Sequence, residues 1–154
     1  LTPSMRPTKV GELLDGVALR ARALEDLRAV TLSVGVADPN AETLLDEALM
    51  GQVLLGLIVN AAQAMPDQTA VVQVTHKRVQ NKDMFEVADR GPGLPTEVEA
   101  HLFEPFVTTK PSGTGLGLAM ARKVVEAHGA VISYCAREGG GACFRVILNH
   151  GNTL

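Results

Sequence analysis

The sequence predicts one α+β domain in which a mixed, mostly antiparallel sheet carries about three helices on one face. Its 154 residues fit a single domain. Helical and strand patterns follow one another in the order α, β, α, β, β, loop, α, β, β, and short turns join two pairs of strands. Hairpins therefore dominate the predicted sheet. Aliphatic side chains must fill the core, because only 3% of the residues are aromatic.

The first half of the chain alternates helix and strand. Residues 1–9 hold two prolines without any periodicity, which indicates a linker from an upstream segment. An apolar stripe over residues 10–27 predicts an amphipathic helix of about eighteen residues, and residues 31–37 alternate as a strand. After a turn at 38–40, residues 46–65 are apolar on nearly every side, which is typical of a helix buried between other elements.

A predicted hairpin comes next, with strands at 70–79 and 84–88 and a turn at 81–83. Residues 90–112 are rich in proline and contain one short helical patch, 96–102. A loop of this length in a compact domain is usually functional.

A helix and a closing hairpin complete the domain. Residues 116–128 have helical spacing, and Gly129 follows them where a C-terminal glycine cap belongs. Residues 130–136 and 142–148 predict two strands joined by the three glycines 139–141.

Charge and composition exclude several classes of function. The 14 basic and 17 acidic residues give a net charge of −3, so no basic field attracts a nucleic-acid backbone. The longest strongly apolar run, 53–59, is far shorter than the ~20 residues of a transmembrane helix, and no signal-peptide pattern opens the chain. Two cysteines indicate reduced thiols and a cytoplasmic location. The first residue, Leu1, suggests a piece of a longer protein, whose other parts can include a membrane anchor.

One polar residue interrupts the apolar central helix. It is Asn60, in the sequence LIVNAAQA. A buried amide needs hydrogen-bond partners, and its carbonyl oxygen suits Mg²⁺, whose other positions are filled by water and phosphate oxygens. For this residue taken alone, a core amide bonded to the backbone is the alternative.

The strand that ends at residue 88 leads into Asp89-Arg90-Gly91-Pro92-Gly93. A carboxylate at this point can accept a hydrogen bond from the exocyclic amine of adenine. Gly91 and Gly93 have no Cβ atoms, so the backbone can approach a flat base. A turn capped by Asp89 explains the same residues equally well.

Three alternating glycines open the last helix, in the sequence Gly113-Thr114-Gly115-Leu116-Gly117. N–H groups at a helix N-terminus bind phosphate, and the side chain of Lys110 is close enough in sequence to reach it. The segment is neither a P-loop nor a Rossmann fingerprint, because no Lys-Ser/Thr follows the glycines and no strand directly precedes them. A flexible lid and a lone surface lysine are the alternatives.

In order and spacing, these segments resemble the N, G1, F and G2 boxes of the catalytic ATP-binding domain of sensor histidine kinases. That domain belongs to the GHKL ATPase superfamily, which also contains gyrase and MutL. The four segments are residues 60–66, 89–93, 103–106 and 113–119. The short stretch 107–112 looks most like the nitrogen-regulation and C4-dicarboxylate-sensing subgroup.

The resemblance implies a two-layer α/β sandwich of the histidine-kinase ATPase type. Residues 10–149 would be the ATP-binding kinase domain, 1–9 a linker from an upstream dimerisation region and 150–154 a tail.

The resemblance also implies ATP and Mg²⁺ as cofactors and gives each motif a role. Asn60 would hold Mg²⁺, Asp89 would bind the adenine amine, and Gly91 and Gly93 would line the base. Lys110 would be the catalytic residue and would hold the phosphates together with the amides of Gly113, Thr114, Gly115, Leu116 and Gly117.

The implied reaction transfers the γ-phosphoryl group of ATP to a histidine on the dimerisation domain of the same kinase. From there it passes to the receiver domain of a response regulator. The chain itself has no phosphoacceptor, because none of His76, His101, His128 and His150 stands in the expected context of an acid and a proline. Neither nucleic acid nor direct membrane contact is expected for this piece.

Two residues depart from the pattern of these kinases. Gly56 stands where they usually carry a second Asn and where gyrase-like ATPases carry a catalytic Glu, which disfavours a dedicated hydrolase. Ala142 replaces a hydroxyl residue that relatives often place near the adenine-binding acid. The two departures motivate an alternative hypothesis, a degenerate module that binds nucleotide weakly or not at all and signals by docking to a partner.

Overall fold

The structure is a computed structural model that describes residues 1–65, 70–106, 117–137 and 139–150. It contains a two-stranded sheet, a five-stranded sheet and helices that cover one face of the larger sheet. The small sheet pairs β1 (Arg6–Lys9) with β3 (Glu42–Leu45). The helices are α1 (Val10–Arg22), α2 (Glu47–Gln63), α3 (Thr96–Glu99) and α4 (Gly117–Ala127).

The larger sheet has the strand order β2-β4-β5-β7-β6. Its strands are β2 (Thr31–Val36), β4 (Val71–Val79), β5 (Lys82–Ala88), β6 (Val131–Ala136) and β7 (Ala142–Asn149). β2 and β4 run parallel, and the other neighbouring strands run antiparallel. The predicted fold class, a mixed and mostly antiparallel sheet with helices on one face, is confirmed.

The core lies between this sheet and helices α1, α2 and α4. Side chains alternate along each strand, and one face of the sheet is buried: Val72, Val74, Phe85, Val87, Phe144 and Val146. From α2, Leu54, Leu57 and Ile58 are completely enclosed. Burial of these aliphatic groups is the main force that fixes α2 against the sheet, and α2 carries the polar residue Asn60.

The N-terminus of α2 is fixed by Asp46. Its carboxylate accepts hydrogen bonds from the Leu49 N–H at 3.1 Å and from the Ser4 N–H at 2.8 Å. These two donors, Leu49 first, lower the pKa of Asp46 below its ordinary value. The capping carboxylate thus links the segment before the first helix to the helix of the candidate site.

The first helix is shorter than the apolar stripe over 10–27 predicts. α1 ends at Arg22, and a single 3-10 turn, Glu25–Leu27, follows after Leu24 adopts an extended conformation. Leu27 is still buried. The apolar spacing therefore predicts correctly that Leu27 enters the core, but it does not predict the interruption of the helix.

The pattern-free residues at the start of the chain also contribute a strand. Residues 6–9, assigned from the sequence to a linker, form β1 and pair with β3, which has no counterpart in the sequence prediction. At the other end, the N–H of His150 donates to the carbonyl of Asn81 at 2.8 Å. The division of the chain into linker, domain and tail remains a prediction.

The predicted turn at 81–83 is displaced. The turn lies at Gln80 and Asn81, which both have positive φ, and β5 already begins at Lys82. Two consecutive positive φ values are typical of a tight hairpin turn. Because β5 begins at Lys82, Asp83 lies within the sheet instead of in the turn, and it is buried.

The predicted cap at Gly129 is confirmed, because its φ is +71° and its N–H donates to the carbonyl of Glu126. Across the described ranges, no helix combines the length and the apolar content that crossing a membrane requires.

Candidate functional site

Asp89 directly follows β5 and is almost completely buried. Its backbone N–H donates to the carbonyl of Ala142 at 2.9 Å. Its Oδ1 accepts from the N–H of Gly91 at 2.8 Å and from the N–H of Ala142 at 3.3 Å. Among the described residues these hydrogen bonds engage Oδ1 and not Oδ2. The carboxylate is therefore held in place through one oxygen, while the other can serve a ligand.

The two glycines after Asp89 each have a structural reason. A Cβ on Gly91 would lie 3.1 Å from Oδ1 of Asp89, 3.2 Å from Cγ of Met65 and 3.3 Å from the carbonyl oxygen of Ala64. Gly91 thus allows the loop to pack against both the carboxylate and the end of α2. Gly93 has a φ of +76°, which disfavours residues with a side chain. Whether either glycine also lines a base remains a prediction.

Asn60 lies on the wall of a cavity of about 330 Å³ between α2 and α4. Gln52, Gly56 and Asn60 are spaced four residues apart on α2 and share one side of this cavity. Gly117, at the start of α4, lies on the opposite side. Asn60 is only one helical turn from Ala64, whose carbonyl faces Gly91. The cavity and the Asp89 carboxylate are therefore joined by the last turn of α2.

Gly56 widens this cavity. Among the described residues, a Cβ at Gly56 would meet no atom within 4 Å. Position 56, where the resemblance predicts a second amide, therefore has room for at least a Cβ among the described residues.

The two phenylalanines of the 103–106 segment have separate environments. The ring of Phe103 packs edge-on against Phe144, with centroids 6.3 Å apart. Phe106 is 76% exposed and has a positive φ of 68°. Phe103 therefore joins the core, whereas Phe106 does not.

Most of the predicted phosphate-binding segment lies outside the described residues. This applies to Lys110, Gly113, Thr114, Gly115 and Leu116. Gly117 is the first described residue of α4 and borders the cavity. The roles of all these residues, and of Lys110 as a catalytic residue, remain predictions.

Two residues that no motif indicated contact the loop after β5. Arg137 donates from Nη1 to the carbonyl oxygen of Asp89 at 3.2 Å, and the N–H of Leu94 donates to Oη of Tyr134 at 3.2 Å. These contacts join parts of the chain that are 48 and 40 residues apart. The sequence contains no local signal for them, because they depend on the pairing of β5, β7 and β6.

Other titratable groups lie away from this site. Asp83 is at the opposite end of β5. Burial alone would raise its pKa, but hydrogen bonds from His76, Thr43 and Arg78 lower it to about 2. Burial and the nearby Glu86 raise the pKa of the Cys143 thiol to about 12, so the thiol is poorly reactive. In the part of the chain that the structure describes, no group of three or more His, Cys, Asp or Glu side chains could hold a metal ion.

Comparison with known proteins decides the family. A family described as "Histidine kinase-, DNA gyrase B-, and HSP90-like ATPase" matches residues 45–152. The chain belongs to this family. Within it, the chain corresponds to the catalytic ATPase domain of sensor histidine kinases, as its four motifs predict.

Two curated relatives of this ATPase domain illustrate the similarity. The sensor protein kinase PilS of Pseudomonas aeruginosa is 37% identical over 127 residues, which cover 80% of this chain and 24% of PilS. The C4-dicarboxylate transport sensor protein DctS of Rhodobacter capsulatus is 41% identical over 106 residues, which cover 67% of this chain and 16% of DctS. The chain thus spans less than a quarter of the length of these two proteins.

Solved structures of the same ATPase domain agree with the fold. Full-length ShkA in complex with AMPPNP superimposes with a TM-score of 0.85 at 28% identity, covering 99% of this chain and 32% of ShkA. The catalytic domain of the histidine kinase ThkA gives a TM-score of 0.84 at 27% identity, covering 96% of both chains.

Proposed function

We propose that this domain binds MgATP between α2, α4 and the loop 89–94, and that it transfers the γ-phosphoryl group to a histidine of a dimerisation domain. The observation that carries the proposal is the buried carboxylate of Asp89, which is fixed through Oδ1. The loop after it packs against the end of α2, and one face of α2 lines the α2–α4 cavity. The AMPPNP complex of ShkA supports nucleotide as the ligand.

The adenine end of the proposed site depends on hydrogen-bond polarity. An ionised carboxylate only accepts hydrogen bonds, and the 6-amino group of adenine only donates them. Because the Gly91 and Ala142 N–H groups occupy Oδ1, Oδ2 would receive the amine. The base would then lie beside the Gly91–Gly93 backbone, and its phosphates would extend along α2 towards the cavity.

The phosphate end would use Asn60 and the start of α4. Asn60 offers one amide oxygen, a ligand type that Mg²⁺ accepts together with phosphate oxygens and water. The described residues provide no cluster of His, Cys, Asp or Glu side chains that could hold the ion without a nucleotide. Mg²⁺ would therefore bind together with the triphosphate, and its charge would offset that of the phosphates. Lys110 and the amides of residues 113–117 would hold the same phosphates.

The proposed partners follow from the missing phosphoacceptor. The phosphoryl group would pass to a histidine on the dimerisation domain of the same kinase and then to the receiver domain of a response regulator. A solved complex of ThkA with the response regulator TrrA supports a response regulator as the partner; its kinase covers 95% of this chain with a TM-score of 0.80 at 25% identity. The domain would act in the cytoplasm, where ATP and receiver domains are found.

The first experiment measures nucleotide binding directly. Calorimetric titration of the domain with MgATP is expected to give saturable binding, and the domain is expected to phosphorylate a supplied dimerisation domain of the same kinase. Absence of binding at about 1 mM nucleotide, a concentration that corresponds to only about −4 kcal/mol, would contradict the proposal.

A substitution at Asp89 tests the adenine contact. Asp89→Asn keeps an oxygen for the Gly91 and Ala142 N–H groups but places an NH₂ group where Oδ2 was. ATP affinity is expected to fall about 10- to 100-fold, as for a lost hydrogen bond to a charged group. Inosine triphosphate, which carries a carbonyl oxygen in place of the amine, is expected to bind the variant relatively better. Glu86→Gln, the same loss of charge on the opposite face of β5, is the control and is expected to leave both affinities unchanged.

The second candidate function is the degenerate module, which Gly56 favours. Because a Cβ at this position would meet none of the described atoms within 4 Å, Gly56→Asn is the substitution that introduces the amide which the resemblance predicts here. A large gain in phosphoryl transfer would mean that the native site is impaired. An unchanged rate would mean that the kinase tolerates glycine here.

A further inference from the structure

The end of β6 contacts the candidate adenine loop from one side of the sheet through Arg137. Its Nη1 donates to the carbonyl oxygen of Asp89 at 3.2 Å, and its Nη2 donates to Oε1 of Gln73 at 3.3 Å. Gln73 is the register partner of Ala88. The guanidinium group therefore lies across the end of β5, directly behind the peptide unit that bears the Asp89 side chain.

The backbone of Arg137 is held as well. Its N–H donates to the carbonyl of Gly141 at 3.0 Å, and its carbonyl accepts from the N–H of Gly140 at 3.1 Å. Gly141 has a φ of +107°, and a Cβ there would overlap the carbonyl oxygen of Asp89. The glycine turn thus lets the β6–β7 hairpin approach until Arg137 reaches Asp89.

Tyr134 contacts the other end of the same loop. The N–H of Leu94 donates to its Oη at 3.2 Å, and a Cβ on Gly93 would lie 3.5 Å from this oxygen. The Tyr134 ring packs on Phe144 with centroids 5.5 Å apart, so its hydroxyl is supported by the core.

Tyr134 and Arg137 are three residues apart, so their side chains project from opposite faces of the sheet. Arg137 shares the outer face with Gln73, whereas Tyr134 packs on the core residue Phe144. Together they hold the first and the last residue of the segment 89–94 from two sides. Neither contact uses the Asp89 carboxylate itself.

We propose that Arg137 and Tyr134 are positioning residues that fix both ends of the segment 89–94 and so direct Oδ2 of Asp89 towards the amine of adenine. The proposal rests on the proposed function, because it requires Asp89 to bind the base. Since the Arg137 guanidinium lies behind the Asp89 peptide on the outer face, it acts on the base only through Asp89. Loss of either contact lowers base selectivity rather than phosphate binding.

The test compares the affinities of ATP and inosine triphosphate for the whole chain by calorimetry. Arg137→Ala is expected to lower the ATP affinity about three- to tenfold, the size of one or two hydrogen bonds, and to leave the affinity for inosine triphosphate unchanged. Arg137→Lys retains one donor for the Asp89 carbonyl and is expected to restore part of the ratio. Tyr134→Phe removes a single oxygen and keeps the ring packing, so it tests the second contact in a variant that folds.

Arg145→Ala is the matched control, because Arg145 is on the same outer face and pairs with Glu86 instead of the loop. It is expected to leave the affinity ratio as in the wild type. Equal losses of both nucleotides in Arg137→Ala and Tyr134→Phe, or unchanged ratios in both, would overturn the proposal. If Asp89→Asn also leaves the ratio unchanged, the adenine site itself is wrong; if only Asp89→Asn changes it, the site stands and the positioning roles fall.

Discussion

The two ends of β5 each carry a buried aspartate, and the two residues are held in opposite ways. Oδ1 of Asp83 lies 2.7 Å from Nε2 of His76 and 2.8 Å from Nη2 of Arg78, and Oδ2 lies 3.2 Å from Nδ1 of His150. Asp89 is held by backbone N–H groups through Oδ1 alone among the described contacts. Side chains of the protein thus contact both carboxylate oxygens of Asp83, whereas backbone N–H groups contact one carboxylate oxygen of Asp89.

The two aspartates differ in their hydrogen-bond partners, and this difference fits a structural role for Asp83 and the proposed ligand-binding role for Asp89. Both carboxylates are nearly inaccessible to solvent, so burial does not distinguish them. Asp83 joins β4 and β5 to His150, which follows β7, and Arg78 extends this network by donating to the carbonyl of Glu42 in β3 at 2.8 Å. We therefore expect substitution of the Asp83 side chain to change stability and substitution of the Asp89 side chain to change ligand binding.

The largest effect is expected for Gly141→Ala, at the point where the hairpin meets Asp89. Its Cβ would overlap the Asp89 carbonyl, and its φ of +107° adds strain. We expect a loss of at least about 3 kcal/mol in unfolding free energy and strongly reduced ATP binding. Gly140→Ala is the control, because Gly140 has nearly the same φ of +106° but its Cβ would meet none of the described atoms within 4 Å. Similar losses in urea unfolding of both variants would show that the contact with Asp89 is unimportant.

Asp83→Asn is expected to have the next largest effect, and only on stability. A lowering of the pKa from 3.8 to about 2 corresponds to a stabilisation of about 2 kcal/mol at neutral pH. Urea unfolding is expected to show a loss of this size, while calorimetry shows an unchanged ATP affinity. A variant that keeps its stability and loses ATP binding would reverse the roles of the two aspartates.

The same network predicts a pH dependence of stability. Because the folded pKa of Asp83 is lower than its ordinary value, its stabilisation is fully present above about pH 5 and is lost as the pH falls towards about 2. The unfolding free energies of the wild type and Asp83→Asn are therefore expected to converge over this range. A difference that stays constant down to pH 2 would show that the charge of Asp83 contributes little.

The smallest effect is expected for Gly56→Ala, which tests a position that faces the cavity rather than the core. Replacing a helical glycine by alanine stabilises a helix by about 1 kcal/mol when nothing obstructs the Cβ. Gly16→Ala on α1 is the control, since in the part of the chain that the structure describes its Cβ would also meet no atom within 4 Å. A thermal midpoint that rises for Gly16→Ala and falls for Gly56→Ala would show that the fold needs the glycine at 56.

Most of the fold is predictable from the sequence, because the long helices and strands have strong apolar periodicity. The apolar content of α2 and the alternation along β4 and β5 predict these elements directly. β1 and β3 have four residues each, too few for a pattern to stand out, and their pairing joins distant parts of the chain. The sequence predicts the tight turn at 81–83, one or two residues after its position at Gln80 and Asn81, because composition alone does not fix the register of a hairpin.

The candidate site is predictable only where its residues are close together in the sequence. Asp89 and its glycines stand together in the chain, and so do Asn60 and the apolar residues around it. Arg137 and Tyr134 were missed because their roles depend on which strands are neighbours.

The attachment of Asp89 to a main-chain N–H has a consequence for how this protein can diverge. The resemblance predicts a hydroxyl residue at position 142, and the N–H and carbonyl of the alanine found there bond to Asp89. Every amino acid except proline supplies these two groups. A mutation at position 142 can therefore exchange the side chain while Asp89 keeps its place, so the side chain at 142 alone says little about whether the proposed site binds nucleotide.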